Sequence, residues 1–209
     1  MIAVDGPAAS GKGTIARALA THFGLPHMDT GLLYRAVALN LWRWGGDPSS
    51  EFEATRACDE LNLDAGDPEL RSEPVSKIAS AVSAYPAVRA ALLERQQSFA
   101  RRPDGAVLDG RDIGTVIAPH AAVKLFVTAT PEVRAERRLK ELEARGMHAH
   151  YADVLADIRA RDERDSGRAV APLRQAPDAI LLDTSELTVD EAVAEAVRQV
   201  EQWLALSSS

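Results

Sequence analysis

The 209-residue sequence predicts an α/β fold, a five-stranded parallel sheet with helices on both faces. Three observations predict it. Five short apolar runs alternate with longer stretches of helical period, the pattern of a doubly wound sheet. The first run leads directly into a glycine-rich loop and then a helix, which is the opening of a βαβ unit. Two stretches, 47–100 and 146–170, fit the alternation poorly and read as segments inserted into a single domain whose core is 1–46, 101–145 and 171–206.

Ile2-Ala3-Val4-Asp5 is the first predicted strand, and it ends at Gly6. From Lys12 to Phe23 the apolar Ile15, Leu19 and Phe23 recur at i, i+4 and i+8, a helical period that Gly24 closes. Leu25 to Met28 reads as a second strand interrupted by Pro26. Asp29-Thr30-Gly31 opens a helix to about Trp44, with Thr30 as its expected N-cap, and Gly45-Gly46-Asp47-Pro48 breaks it. Residues 49–104 read as mainly helical around an irregular polar piece from Asp64 to Pro74. Ala106 to Leu108 is the third strand, followed by Asp109-Gly110-Arg111-Asp112. Val123 to Val127 has the continuous apolar character of a buried parallel strand. Pro131 sits in the first turn of a charged helix reaching Arg145, and Gly146 ends it. Tyr151 to Asp165 is a further helix, Ala179 to Leu182 the fifth strand and Val189 to Leu206 the last helix. The Ser207-Ser208-Ser209 tail is expected to be disordered.

The chain carries 31 acidic and 24 basic residues, a formal charge of −7. That balance disfavours general binding to nucleic acid or anionic membrane, so local basic patches must carry any phosphate recognition. Only four of the basic residues are Lys (Lys12, Lys77, Lys124, Lys140) and the rest are Arg. Genomic composition can explain such a skew, but Arg also clamps phosphates bidentately, which Lys cannot do. The single cysteine, Cys58, permits neither an intramolecular disulfide nor a cysteine-based metal cluster. Neither a membrane span nor a secretory leader is legible. A cytoplasmic monomer is expected, since no long apolar seam is left over.

Gly6-Pro7-Ala8-Ala9-Ser10-Gly11-Lys12 matches G-x-x-x-x-G-K between a strand and a helix, the context that makes the motif credible. The glycines let the backbone curl so that successive amides face one concavity, and the helix N-terminus adds its positive end. Lys12 reaches the β- and γ-phosphates of a nucleotide. Gly13 stands where the general motif has Ser or Thr, and Thr14 follows. A Mg²⁺ ion is therefore expected through nucleotide phosphates and water, with no direct protein ligand assigned. Asp29 to Arg35 and Asp109 to Asp112 both follow strands and fall at the carboxyl edge of a parallel sheet, where ligands bind. Each supplies Asp and Arg. Asp29 read alone is also a helix-start residue, and Arg35 a solvated helix position. Arg161, Asp165 and Arg168 lie at i, i+4 and i+7 and share a face if the helix persists. Between Arg134 and Arg168 nine basic residues meet eight acids. Both a salt-bridged surface and a lid of arginines closing over a transferring phosphoryl group fit that balance.

The combination G-P-A-A-S-G-K-G-T, D-T-G-L-L-Y-R, D-G-R-D-I-G-T-V and R-D-E-R-D-S-G-R-A-V-A-P resembles bacterial cytidylate kinases over nearly the whole chain. The first 35 residues also resemble the wider group of nucleoside monophosphate kinases. The resemblance implies a P-loop fold and transfer of the γ-phosphoryl of ATP to CMP or dCMP, with Mg²⁺. It implies that Gly6, Pro7, Ala8, Ala9, Ser10, Gly11, Lys12, Gly13 and Thr14 hold the ATP phosphates. It places Asp29, Thr30 and Arg35 on the acceptor nucleotide, Ser80, Arg89, Arg111 and Asp112 on cytosine, and Arg161, Asp165 and Arg168 on the lid side. Many members carry a small inserted sheet near the acceptor site. The stretch Leu61 to Val75 is short for it, so that sheet is not assumed. Rival readings are another nucleoside monophosphate kinase, acting on UMP, AMP or dTMP, and a nucleotide-binding module without transferase activity.

Overall fold

The computed structural model describes residues 1–59, 61 and 64–207. Ser208 and Ser209 of the expected tail, and part of the shortened stretch after Leu61, lie outside the described residues. Ser207 belongs to the last helix.

The chain forms two compact units, one of residues 1–28 and 100–209 and one of residues 29–99. Strands β1 (Ile2–Asp5), β2 (His27–Asp29), β3 (Val107–Gly110), β4 (Val123–Thr128) and β5 (Ile180–Asp183) form one parallel sheet in the order β2-β3-β1-β4-β5. The predicted five-stranded parallel sheet is thus observed. β1 lies between β3 and β4, with Asp5 opposite Gly110 on one side and Phe126 on the other. The central strands are buried on both faces, as their unbroken apolar runs require.

Helices α1 (Lys12–Phe23) and α8 (Val189–Ser207) pack on one face of this sheet. There Ile15, Leu19, Ala196 and Val200 meet Ile2, Val4, Leu125 and Val127. Leu19 is fully buried, and such a side chain contributes about 2 kcal/mol through the apolar area it removes from water. The opposite face carries Ala3, Asp5 and Lys124, because side chains alternate along a strand. α6 (Pro131–Ala144) and α7 (Tyr151–Ser166) build a second core from Ala135, Leu142, Val154 and Ile158, and Ala8 of the glycine-rich loop is packed into it. The loop is thus anchored by a side chain as well as shaped by its backbone.

The second unit holds α2 (Thr30–Trp44), α3 (Glu51–Arg56), a 3₁₀ turn at Pro68–Arg71, α4 (Glu73–Val82) and most of α5 (Pro86–Ala100). α2 and α4 are its principal packing pair. The N-cap of α2 is Asp29, whose carboxylate accepts from the Gly31 amide at 2.9 Å, and Thr30 is the first helical residue. The expected cap at Thr30 is displaced by one residue because Asp29 keeps an extended backbone, as a cap must. Gly24, Gly45 and Gly146 each adopt a left-handed conformation next to a helix end, where only glycine is unstrained.

Candidate active site

The glycine-rich loop between β1 and α1 has the dihedral signature of an anion cradle. Ala9 (φ 58°) and Gly11 (φ 86°) are left-handed, and Gly6 has φ 157°. A Cβ on Gly6 would lie 2.0 Å from the Val127 carbonyl oxygen of β4. Only glycine therefore fits where the loop leaves the sheet. Gly11 is the N-cap of α1 and has no side chain to bond the first amides of the helix. No cap competes with an anion for the N–H groups of that turn. The Lys12 ammonium reaches back to the Pro7 carbonyl at 3.2 Å, across the loop. Ser10 Oγ is buried and makes no hydrogen bond with the described residues. Among the described residues, no group of three His, Cys, Asp or Glu side chains could hold a metal ion. The loop's amides and hydroxyls suit the phosphate oxygens of a metal–nucleotide complex, not a bare cation.

Side chains that sequence reasoning did not single out hold this loop in place. Arg134 of α6 is 3% exposed. It donates to the Ala8 carbonyl at 3.3 Å and to the Ala129 carbonyl at 2.9 Å, and forms a two-pronged pair with Asp162 of α7 at 2.9 and 2.6 Å. Thr184 donates to the Ser10 carbonyl at 3.2 Å. The bonds to the Ala8 and Ser10 carbonyls link positions more than 120 residues apart, which no local pattern announces. The Pro131 helix start was legible, but the buried Arg within it was counted with a charged surface. Arg159–Glu132 and Arg138–Glu141, in contrast, are such surface pairs.

Asp165 is the hub of the arginine cluster. It is 3% exposed and accepts from Arg111 Nε at 2.8 Å and from Arg168 Nη2. Burial works to raise its carboxyl, but the charges of Arg111, Arg168 and Arg161 outweigh burial and hold it below the ordinary carboxylate range. Four expected site residues, 111, 161, 165 and 168, are thus brought into one charged group. The shared helical face needs correction, however. α7 ends at Ser166, so Arg168 lies past it and reaches Asp165 from beyond Gly167. Gly167 cannot carry a side chain cheaply, since its Cβ would lie 2.8 Å from the Glu163 carbonyl oxygen.

β3 runs to Gly110, so Asp109 belongs to the strand rather than to the loop after it. Asp109 bonds His27 Nε2 at 2.7 Å. After β3 the chain makes a π-helical turn, Ile113–Ile117, for which Asp112 stands at the N-cap position. Asp112 is 4% exposed and makes no side-chain cap bond to the turn. Asp5 at the end of β1 supplies it instead, accepting from the Ile113 and Gly114 amides at 2.7 Å each.

The second unit gathers the remaining expected residues. Arg35 Nη1 donates to Ser76 Oγ of α4 at 2.6 Å. Ser76 and Ser80 lie one turn apart on α4, and both are buried. Arg89, 7% exposed, donates to the Ser83 carbonyl at 3.2 Å, and its guanidinium carbon lies 5.7 Å from the centre of the Tyr34 ring. Such a cation–π contact suits a partly desolvated Arg. Asp29 is engaged as the cap of α2, and Thr30 is buried at the start of that helix. No helix among the described residues is long and apolar enough to cross a membrane.

Solved structures similar to this chain include an uncharacterized protein from Eubacterium ventriosum (TM-score 0.58, 13% identity, covering 96% of this chain and 97% of that one). A gluconokinase from Sinorhizobium meliloti aligns with TM-score 0.54 and 15% identity, over 100% of this chain and 97% of its own. At those identities they speak for the fold alone. The cytidylate kinase of Azorhizobium caulinodans is 58% identical over 205 residues, 97% of this chain and 98% of its own length. That of Xanthobacter autotrophicus is 59% identical over 204 residues, 96% and 97% of the two chains. The family model for cytidylate kinase matches residues 2–202. Matched by that model over nearly its whole length and by these relatives at 58% and 59% identity, the chain belongs to the cytidylate kinase family.

Proposed function

We propose that the protein transfers the γ-phosphoryl group of ATP to CMP or dCMP, giving ADP and CDP or dCDP. The observation that carries this reading is the pairing, within one unit, of an uncapped glycine loop with an arginine hub at Asp165. The acceptor phosphate is already anionic at neutral pH, so no general base is required. The work is alignment, charge neutralisation and exclusion of water.

Lys12 and the amides of residues 6–14 hold the donor phosphates. Bound together with ATP at this loop, with no direct protein ligand assigned, Mg²⁺ would supply neutralisation of charge on the transferring group. Arg35, Arg161 and Arg168 hold the acceptor and transferring phosphates, with Asp165 setting the orientation of its arginines. Asp29 and Thr30 contact the acceptor nucleotide. Ser80, Arg89, Arg111 and Asp112 read cytosine. A carboxylate accepting from the cytosine amine rejects uracil, which offers a carbonyl there, by about 10⁴-fold where the site is built around that bond. Residues 47–100 form the acceptor-binding segment and 146–170 a lid. The enzyme acts as a cytoplasmic monomer.

An acceptor panel with ATP, read by ADP release, tests the assignment. CMP and dCMP should turn over far faster than UMP, AMP or dTMP. Preference for another acceptor would reassign the substrate, and ATP binding without acceptor-dependent ADP release would make the chain a nucleotide-binding module.

A further inference from the structure

Asp5 has no role in the mechanism above, yet it is a carboxylate 4% exposed at the end of the central strand. Its two oxygens are both committed, at 2.7 Å, to the amides that open the turn after Asp112. An aspartate at an N-cap position ordinarily bonds those amides itself, as Asp29 does for its own helix. Asp112 occupies the cap position and makes no such bond. We propose that Asp5 is a positioning residue for cytosine recognition: by capping the turn from β1, it relieves Asp112 of that task and holds the Asp112 carboxylate for the base amine. This rests on the reading of Arg111 and Asp112 as the cytosine-reading pair.

Gly114 supports the same arrangement independently. A Cβ there would lie 3.3 Å from an Asp5 carboxylate oxygen and 3.1 Å from the Lys124 stem. The second glycine of D-G-R-D-I-G is thus where the turn backbone is pressed against Asp5. The groups around Asp5 are Arg111 and Asp112 on the turn itself and Lys124 of β4, which points to the same face of the sheet and pairs with Asp178. Asp109, opposite Val4 and bonded to His27, lies on the other face of β3. Burial foremost raises the Asp5 carboxyl to about 6, against the lowering effect of the two amides. A proton on Asp5 turns one acceptor into a donor facing an N–H.

The test compares Asp5→Asn, Asp112→Asn and the double variant, each checked by circular dichroism, for KM of CMP, UMP and ATP. In Asp5→Asn the preference for CMP over UMP should fall by about tenfold or more, with KM for ATP unchanged within about twofold. Adding it to Asp112→Asn should cause no further loss of preference. Normal preference in Asp5→Asn beside a loss in Asp112→Asn overturns the positioning role alone, as does an equal rise in KM for both substrates. Normal preference in Asp112→Asn overturns the cytosine reading beneath it. Should Asp5→Asn not fold, the wild-type preference measured from about pH 8 to about pH 5 decides, since titration of the phosphate common to CMP and UMP cancels in the ratio. A fall below about pH 6 is expected, and a flat ratio overturns the inference.

Discussion

The phosphate loop and the turn after β3 leave neighbouring strands of one sheet, yet they satisfy their backbone amides in opposite ways. At the loop the N-cap of α1 is Gly11, and among the described residues no side-chain cap hydrogen bond is made to the helix start. At the turn the opening amides are capped by Asp5, more than 100 residues earlier in sequence. On the proposed function, the contrast follows from what each segment offers a ligand. Where backbone amides are the binding groups, an internal cap would compete with the anion. Where side chains bind, the amides need a partner from elsewhere, or the binding carboxylate folds back to serve them. The start of α2 is the ordinary case between these extremes, because Asp29 caps its own helix.

Three substitutions break or sharpen this comparison. The largest effect is expected at the uncapped loop. Lys12→Ala should lower kcat on the order of 10³-fold, because transition-state charge is stabilised there, with the circular dichroism spectrum and melting temperature near wild type. Turnover near normal would refute the loop assignment.

The next effect is on stability. Asp5 in the folded state binds its proton more tightly than the ordinary value of 3.8, at about 6. Between those values the folded chain holds more protons than the unfolded one, so its unfolding free energy falls as pH rises through the window and is flat above it. The wild type should therefore lose about 3 kcal/mol relative to Asp5→Asn between about pH 4 and about pH 7. An equal pH dependence of stability in the two proteins, read from urea denaturation across that range, would show that the Asp5 carboxyl is not raised in the folded state.

The smallest effect is at the self-capped helix. Asp29→Ala should destabilise α2 by about 1 kcal/mol, the value of an N-cap, seen as a lower urea midpoint at unchanged slope. An unchanged midpoint would mean that the Asp29–Gly31 bond adds nothing to stability.

What the sequence disclosed divides along the same line. The glycine-rich loop between strand and helix, the strand–helix alternation and the glycine helix stops were legible, because each depends on residues a few positions apart. The observed strands and helices lie within a few residues of those expected. The Thr30 cap was one residue off, since Asp and Thr both suit the position and only the backbone conformation of Asp29 decides. The Arg161–Arg168 face assumed a helix that in fact stops at Ser166. Asp165 was legible as a candidate, but its bond to Arg111 spans 54 residues and could not be read from spacing. Arg134 and Asp5 were missed altogether, the one looking like surface charge and the other like the end of a strand. Both act through tertiary hydrogen bonds, which leave no periodic trace.

The capping of the turn by Asp5 also bears on how specificity could be moved between proteins. If Arg111 and Asp112 read cytosine as proposed, a graft of D-G-R-D-I-G into another scaffold would carry them but leave behind the β1 carboxylate that caps the turn. The transferable module is discontinuous: the last residue of one strand together with the hairpin-sized segment that follows its neighbour, with position 114 kept as glycine. On that proposal, libraries built to redirect base choice would diversify 111 and 112 over a fixed Asp5–Gly114 foundation.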